Sequence, residues 1–242
     1  MSLKYKTKGF VFKKNDKAEA TQVFSFFTKD FGRIETNAKA IRKITSKLRA
    51  DVDMFYFSEI EFIQGKNNKI LTDALKIKKF DNLYKNLNDF KIANQVSYVL
   101  DSFIKGQEKD EKTFDLLIDF FEKISLNFKE NKNHQLLFNY FFWNFLSLQG
   151  YCLEVKDCAI CKGKINPYNI YFSAKDGGVV CKDCASKFKE IKKINSDIVK
   201  VLRLILDKEW ETVSRLKIRE VSQELLKNIY KNAIYVFCPT HC

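Results

Sequence analysis

The sequence predicts an α+β protein of more than one domain: a small five-stranded barrel at the amino terminus, then helices, with a cysteine-bearing ribbon inserted among them. Three observations carry this reading. Short runs of β-branched and aromatic residues fill the first 78 positions. Near Leu83 the apolar period lengthens from two to about 3.6, and two C-x2-C pairs interrupt the helical part. A chain of 242 residues holds one or two domains at roughly 100 to 200 residues each, and two are expected.

The strands are expected at 5–13, 21–28, 32–40, 54–63 and 70–77, separated by turn-like pieces such as Lys14-Asn15-Asp16 and Gly65-Lys66-Asn67-Asn68. Closure is the economical way for so few strands to remove exposed edges. The closed five-stranded barrel that binds nucleic acid is the OB-fold, with the SH3-like barrel as the structural rival.

Leu83, Leu87, Phe90, Ala93, Ser97, Leu100 and Ile104 predict the apolar face of a first helix ending near Gly106. Phe114, Leu117, Ile118, Phe121 and Ile124 stripe a second. Leu136, Leu137, Tyr140, Phe141, Asn144, Phe145 and Leu148 mark a third, apolar nearly all round and stopped by Gly150, hence central. Two more amphipathic stretches, 197–208 and 219–235, are expected to pack back onto these helices. With only two prolines and no Pro/Gly-rich linker, the domains should be closely packed. The plan is a barrel at 1–78, a helical domain at 79–150 and 191–237, a ribbon at 151–190 and a tail at 238–242.

Four of the seven cysteines form C-x2-C-x19-C-x2-C, namely Cys158, Cys161, Cys181 and Cys184. Each C-x2-C lets a tight turn aim two sulfurs at one ion, with Gly163 relaxing the backbone after Cys161. Residues 168–173 and 179–181 read as strands joined by Lys175-Asp176-Gly177-Gly178, a hairpin that folds the second pair onto the first. Four thiolates leave no open position, so one structural Zn2+ is predicted. Four buried cysteines used as small apolar residues would not explain the matched pairs. An iron-sulfur cluster also takes four thiolates, but the even grouping about a hairpin is the ribbon pattern. Cys152 is expected to be a packed small side chain. Cys238, His241 and Cys242 of the CPTHC tail are weaker metal candidates on a terminus expected to be mobile.

Lys and Arg number 43 against 30 Asp and Glu, a net charge of +13, which argues for a polyanionic partner. Because 37 of the cations are Lys, in a chain crowded with Phe, Asn and Ile, a biased genome supplies part of this excess. Distribution says more: residues 1–50 hold thirteen Lys or Arg against four Asp or Glu. In the third strand alternation puts Arg33, Glu35, Asn37 and Lys39 on one face and Ile34, Thr36, Ala38 and Ala40 on the other. The chain then runs into Arg42, Lys43, Lys47 and Arg49, with no acid from Thr36 to Ala50. An ordinary solvated loop would also look like this, but basic loops on a small barrel form a groove for single strands. Lys4, Lys6 and Lys8 add a basic face to the first strand, opposite Tyr5 and Thr7. Phe10 and Phe12 continue that face, with core packing the expected fate of each.

The opening MSLKYKTKGFVFKKND has no apolar signal-like region, and the longest apolar stretch, 136–148, is broken by Asn139 and Asn144 and too short to span a bilayer. A cytoplasmic protein in a reducing compartment is expected. For an enzyme the sequence offers little: with His134 and His241 alone there is no H-E-x-x-H, no Walker A loop occurs, and no paired carboxylates sit on an apolar scaffold.

The segment GFVFKKNDKAEATQVFSFFTKDFGRIETNAKAIRKITSKLR resembles the opening of the RecO family. Gly9, Val11, Glu19, Thr28, Gly32, Ala38, Lys39, Arg42, Lys43, Ser46, Leu48 and Arg49 fall in that family's register. LQGYCLEVKDCAICKGK resembles its L-G-Y segment leading into the zinc cysteines, through Gly150, Tyr151, Cys158, Cys161 and Gly163. Ala40 stands where the family usually has Gly and Thr21 where it usually has Asp, and LLKNIYKNAIYVF matches the family's carboxyl-terminal basic segment poorly. The resemblance implies an OB-fold, a helical domain with a zinc ribbon, and a recombination mediator in DNA repair. Such a protein binds single- and double-stranded DNA, anneals complementary strands, joins RecR, contacts the tail of single-strand-binding protein (SSB) and helps RecA load. A zinc-ribbon factor of transcription or translation would share the charge, barrel and cysteines.

Overall fold

The computed structural model describes residues 3–126, 134–188 and 191–238, and the chain divides into two compact units, Met1–Lys129 and Glu130–Cys242. The first unit contains β1 (Lys4–Ala18), β2 (Thr21–Thr28), β3 (Gly32–Ala38), β4 (Tyr56–Gln64) and β5 (Lys69–Lys79), then α1 (Leu87–Phe103) and α2 (Glu111–Leu126). The strands close in the order β1-β2-β3-β5-β4, with β4 pairing back onto β1. Neighbours are antiparallel except β3 and β5, which run parallel through Thr36↔Lys69 and Asn37↔Ile70. The barrel is the predicted OB-fold.

Period-two alternation sends Val11, Phe24, Phe26, Ile34, Ala38, Ile60, Phe62 and Leu71 into the barrel, joined by Ile41 and Val52 from the long β3–β4 connection. Part of the outer surface of β1 and β2 is buried too, where α2 lies against it. Phe10 packs on Phe121 at 4.2 Å between ring centroids, Phe55 and Phe80 meet the same ring, and Phe27 meets Phe114. Phe10 and Phe12 are therefore core, which leaves no exposed ring on that face for base stacking.

Arg33 and Asp101 join β3 to α1. The guanidinium bonds Asp101 Oδ1 at 2.8 Å, donates to the Ile104 carbonyl at 2.8 Å beyond the helix end, and lies over the Phe12 ring. It thus satisfies a carbonyl that the helix end leaves without an internal partner, and its charge complements the helix dipole. Lys13 reaches the other oxygen of Asp101, also at 2.8 Å. Gly32, at φ +58°, begins β3 where a Cβ would meet the Glu108 carbonyl oxygen at 2.0 Å, so only glycine fits.

The second unit is built around α3 (His134–Leu148), in which every residue from Leu136 to Leu146 is buried. Its ribbon contains β6 (Ile170–Ser173), β7 (Gly178–Cys181), the single turn α4 (Lys182–Ala185) and β8 (Lys192–Ile194), with sheet order β7-β6-β8. Around α3 pack α5 (Ser196–Leu206), α6 (Trp210–Ser214) and α7 (Glu220–Phe237). Phe138 meets Tyr230 of α7, and Tyr140 meets Trp210 of α6. The polar break at Asn144 is structural: its amide donates to the Ile205 carbonyl near the end of α5 at 3.0 Å.

Several local expectations differ from the structure. Lys14-Asn15-Asp16 is not a turn, for β1 continues to Ala18 and the hairpin turns at Glu19-Ala20. Leu83 sits in a separate 3-10 turn, Asp81–Tyr84. The buried face of α1 is Ile92, Ala93, Val96, Ser97, Val99 and Leu100, whereas Leu87 and Phe90 stand 67% and 37% exposed. Ile118 of α2 is half-buried. The sequence pattern marks neither β8 nor α6, and His241 and Cys242 of the tail lie outside the described residues.

Ala40 adopts φ +55°, the left-handed region where a side chain costs about 1–2 kcal/mol. Ala40→Gly is expected to raise stability by about 1 kcal/mol despite the entropy glycine adds to the unfolded chain, read as a higher urea midpoint. For Asp101, burial alone would raise the carboxyl pKa, but Lys13 and Arg33 outweigh it and hold the group below the ordinary carboxylate range. A depressed folded-state pKa gives stability that is present above the unfolded value and lost as pH falls through the folded one. Asp101→Asn should therefore lower stability by about 2 kcal/mol at pH 7 and converge on wild type in urea titrations as the pH falls below the ordinary carboxylate range. Equal losses at both pH values would remove the charge argument.

Candidate nucleic-acid interface and metal centre

At the carboxyl end of β3 the chain leaves the barrel through Lys39 and Ala40 and enters successive tight turns. Lys43 N bonds Ala40 O and Ser46 N bonds Lys43 O, each at 3.0 Å, and a 3-10 turn, Lys47–Ala50, follows. Ile41 and Val52 are buried in the barrel core and Leu48 packs on it, so residues 42–47 form an arch with both feet in the barrel. Lys39, Arg42, Lys43, Lys47 and Arg49 all project into solvent. Arg42 pairs with Asp16 and donates to the Glu19 carbonyl. Lys39, Lys43, Lys47 and Arg49 have no ion-pair partner among the described residues.

Arg33, the sixth predicted contact, stands apart. Its side chain is 12% exposed and its donors are engaged by Glu35, Asp101 and the end of α1. Lys4 and Lys6 are likewise paired, with Glu61 and Glu59 of the neighbouring strand.

Beside the arch lies a cavity of about 590 Å³ between the β1–β2 hairpin and the β4–β5 turn, lined by Lys17, Asn37, Lys39, Lys66, Asn67 and Asn68 among others. Sequence reasoning missed Lys17 and Lys66. They are 49 positions apart, and only barrel closure brings their turns together. The signal was available in the strand order, because the β1–β2 and β4–β5 turns of an OB-fold flank the same binding face.

In the second unit the sulfurs of Cys158, Cys161, Cys181 and Cys184 lie within 4.8 Å of one another. Cys158 and Cys161 are held in a knuckle, with Cys158 N bonded to Gly163 O and Lys162 N to Cys158 O. Cys181 ends β7 and Cys184 follows one helical turn later. The Cys161–Cys181 sulfur separation is 3.8 Å, and tetrahedral ligands about 2.3 Å from a zinc ion stand about 3.8 Å apart. Burial opposes ionisation of Cys158, but N–H groups of Cys161, Cys181 and Ile160 outweigh it and draw its pKa down to about 6. Burial pushes Cys184 up to about 12, and the neighbouring cysteine sulfurs add to the rise. Four thiolates this close require a cation to balance them. The donor set and its spacing fit a metal ion.

The ribbon is fixed to the helices by Phe172, which meets Trp143 of α3, and by Arg203 of α5, whose Nε and Nη2 donate to the Val155 carbonyl at 2.9 and 2.7 Å. No helix among the described residues is long and apolar enough to cross a membrane.

Comparison with known proteins agrees with both units. Residues 1–80 match the family model "Recombination protein O N terminal" and residues 85–234 match "Recombination protein O C terminal". The chain is 31% identical over 233 residues to a DNA repair protein RecO of Dehalococcoides mccartyi, covering 96% of this chain and 90% of the relative. It is 30% identical over 222 residues to that of Caldanaerobacter subterraneus subsp. tengcongensis, covering 90% and 87%. It is 26% identical over 231 residues to that of Alkaliphilus metalliredigens, covering 96% and 92%. With its barrel, its helical unit and its cysteine cluster all inside these matches, the chain belongs to the RecO family of DNA repair proteins.

Proposed function

We propose that this protein is a non-enzymatic recombination mediator. It binds single- and double-stranded DNA through the barrel, anneals complementary strands, and helps load RecA together with RecR on DNA coated by SSB, whose carboxyl-terminal tail it contacts. It works in the cytoplasm, at the nucleoid. The observation that carries the reading is the segment 39–49, the arch with its flanks, with four exposed cations lacking acidic partners among the described residues, set beside a Lys- and Asn-lined groove on an OB barrel. Such a surface suits the phosphate backbone, because each neutralised phosphate releases counterions, and an OB groove holds an extended strand without reading its sequence. Lys39, Arg42, Lys43, Lys47 and Arg49 are the proposed phosphate ligands, extended by Lys17 and Lys66. Arg33, anchored on α1, lines an adjoining pocket that shares Asn67 and Asn68 with the groove.

The metal is proposed to be one structural zinc ion held by Cys158, Cys161, Cys181 and Cys184. Zinc suits a closed all-thiolate tetrahedron, and its binding energy is folding energy for a ribbon with so small a core. Elemental analysis should find about one zinc per chain. Chelation or Cys184→Ser should release it and shift the emission of Trp143, whose ring packs on Phe172 of the ribbon. A metal-free protein with unchanged emission and thermal midpoint would sink the assignment.

Replacing Lys39, Arg42 and Lys43 together by Ala should weaken single-strand binding and annealing in parallel. The plot of log affinity against log salt should flatten by about 0.7 for each phosphate that is no longer neutralised. Arg42 should contribute least, since Asp16 already neutralises part of its charge. Metal content and thermal midpoint should stay at wild-type values. The reading fails if the triple variant keeps wild-type affinity and slope, and it is displaced by a transcription or translation factor if structured RNA outcompetes single-stranded DNA.

A further inference from the structure

The arch carries a residue that charge does not explain. Ile44 stands 93% exposed at its crown, the most exposed large apolar side chain among the described residues. Arg42 and Lys43 precede it and Lys47 follows, in a stretch without an acid. Scattered surface apolar residues are ordinary. This one differs in how it is held, for the buried Ile41 on one side and Leu48 and Val52 on the other root the arch in the barrel. The turns closed by Lys43 N to Ala40 O and Ser46 N to Lys43 O fix the crown between those feet.

We propose that Ile44 is an apolar wedge that enters a base step of bound DNA and holds the two bases unstacked. This rests on the reading of the arch as the nucleic-acid interface. The cations would draw the phosphates of one strand to either side of the crown, and the only apolar surface within reach of Ile44 would then be the base faces between them. Branched aliphatic side chains act in this way where proteins insert between base steps. Burying an isoleucine is among the larger gains open to one side chain, and here none of it is already realised inside the protein. For a protein that anneals strands, a base held out of its stack is a base ready to find its complement. A membrane surface is the other partner such a crown suits, but one isoleucine buries too little to anchor a protein there. The groove beside Lys39 continues the arch along a path for a strand.

The experiment uses the full zinc-loaded chain and single-stranded oligonucleotides carrying 2-aminopurine, whose emission rises when it unstacks. Wild type should raise the emission, Ile44→Ala should abolish the rise, and Ile44→Phe should restore it. Ile44→Ala should also bind about tenfold more weakly with the salt slope unchanged, whereas Lys43→Ala should flatten the slope. The thermal midpoint of Ile44→Ala should match wild type, because the side chain supports nothing beneath it. If Ile44→Ala unstacks and binds like wild type while Lys43→Ala weakens binding, the wedge is refuted and the interface stands. Failure of wild type to bind these oligonucleotides refutes both. Ile44-dependent binding to phosphatidylglycerol vesicles without DNA binding overturns the proposal in favour of a membrane.

Discussion

Two residue pairs, Thr36 with Lys69 and Asn37 with Ile70, join β3 to β5, and this short parallel contact decides where the rest of the first unit can go. Five strands have edges to hide, and an open sheet of this size would present them to other chains. Closing at Thr36 and Asn37 ends β3 at Ala38. The chain must then turn away sharply, which it does through the left-handed Ala40. The same closure draws the β1–β2 hairpin and the β4–β5 turn to one end of the barrel, where they bound the groove. The arch and the groove therefore arise from the way the barrel shuts.

Charge is partitioned by the same geometry. Lys4, Lys6 and Lys13 face carboxylates across strand or helix boundaries, and Arg33 is nearly withdrawn from solvent. The exposed pairs of Lys4 and Lys6 add little to stability, but they cancel field locally. The arch is among the places left uncancelled, for no acid lies within the loop and only Arg42 reaches one outside it among the described residues. A total of +13 thus says less about binding than the positions of a few lysines left alone by the fold.

Sequence patterns revealed most of this where a residue's fate depends on near neighbours. Alternation in β2 and β3, the all-round apolarity of α3 and the cysteine spacing are local, and they predicted the barrel, the central helix and the sulfur cluster. Errors arose where a distant element overrides the pattern. Lys14-Asn15-Asp16 looks like a turn but is drawn into a ladder with Gln22, Val23 and Phe24. Phe90 looks like core, yet α1 turns Ile92 and Val96 inward instead. Arg33 lies on the polar face the alternation gives it, yet α1 supplies Asp101 to hold it. Lys17 and Lys66 carry no local mark at all, since only the closed barrel makes them neighbours. The family departure at position 40 proved informative in the opposite direction: the expected glycine corresponds to a backbone angle that is left-handed here even with alanine.

The second unit solves a different problem with the same economy. A ribbon of three short strands has too little apolar surface to fold alone, its buried cluster being Cys158, Val180, Cys184 and Ala185. Two of those four are the sulfurs proposed to hold the metal, so removing the ion would leave buried thiols of opposed tendency, Cys158 inclined to ionise and Cys184 to stay protonated. The ribbon is then tied to the helices by the Phe172–Trp143 contact and the Arg203 bond to Val155 O. Both partners sit on helices joined by Asn144, which bonds the end of α5 from inside α3. Disorder at the cysteines would therefore be transmitted to the buried centre of this unit.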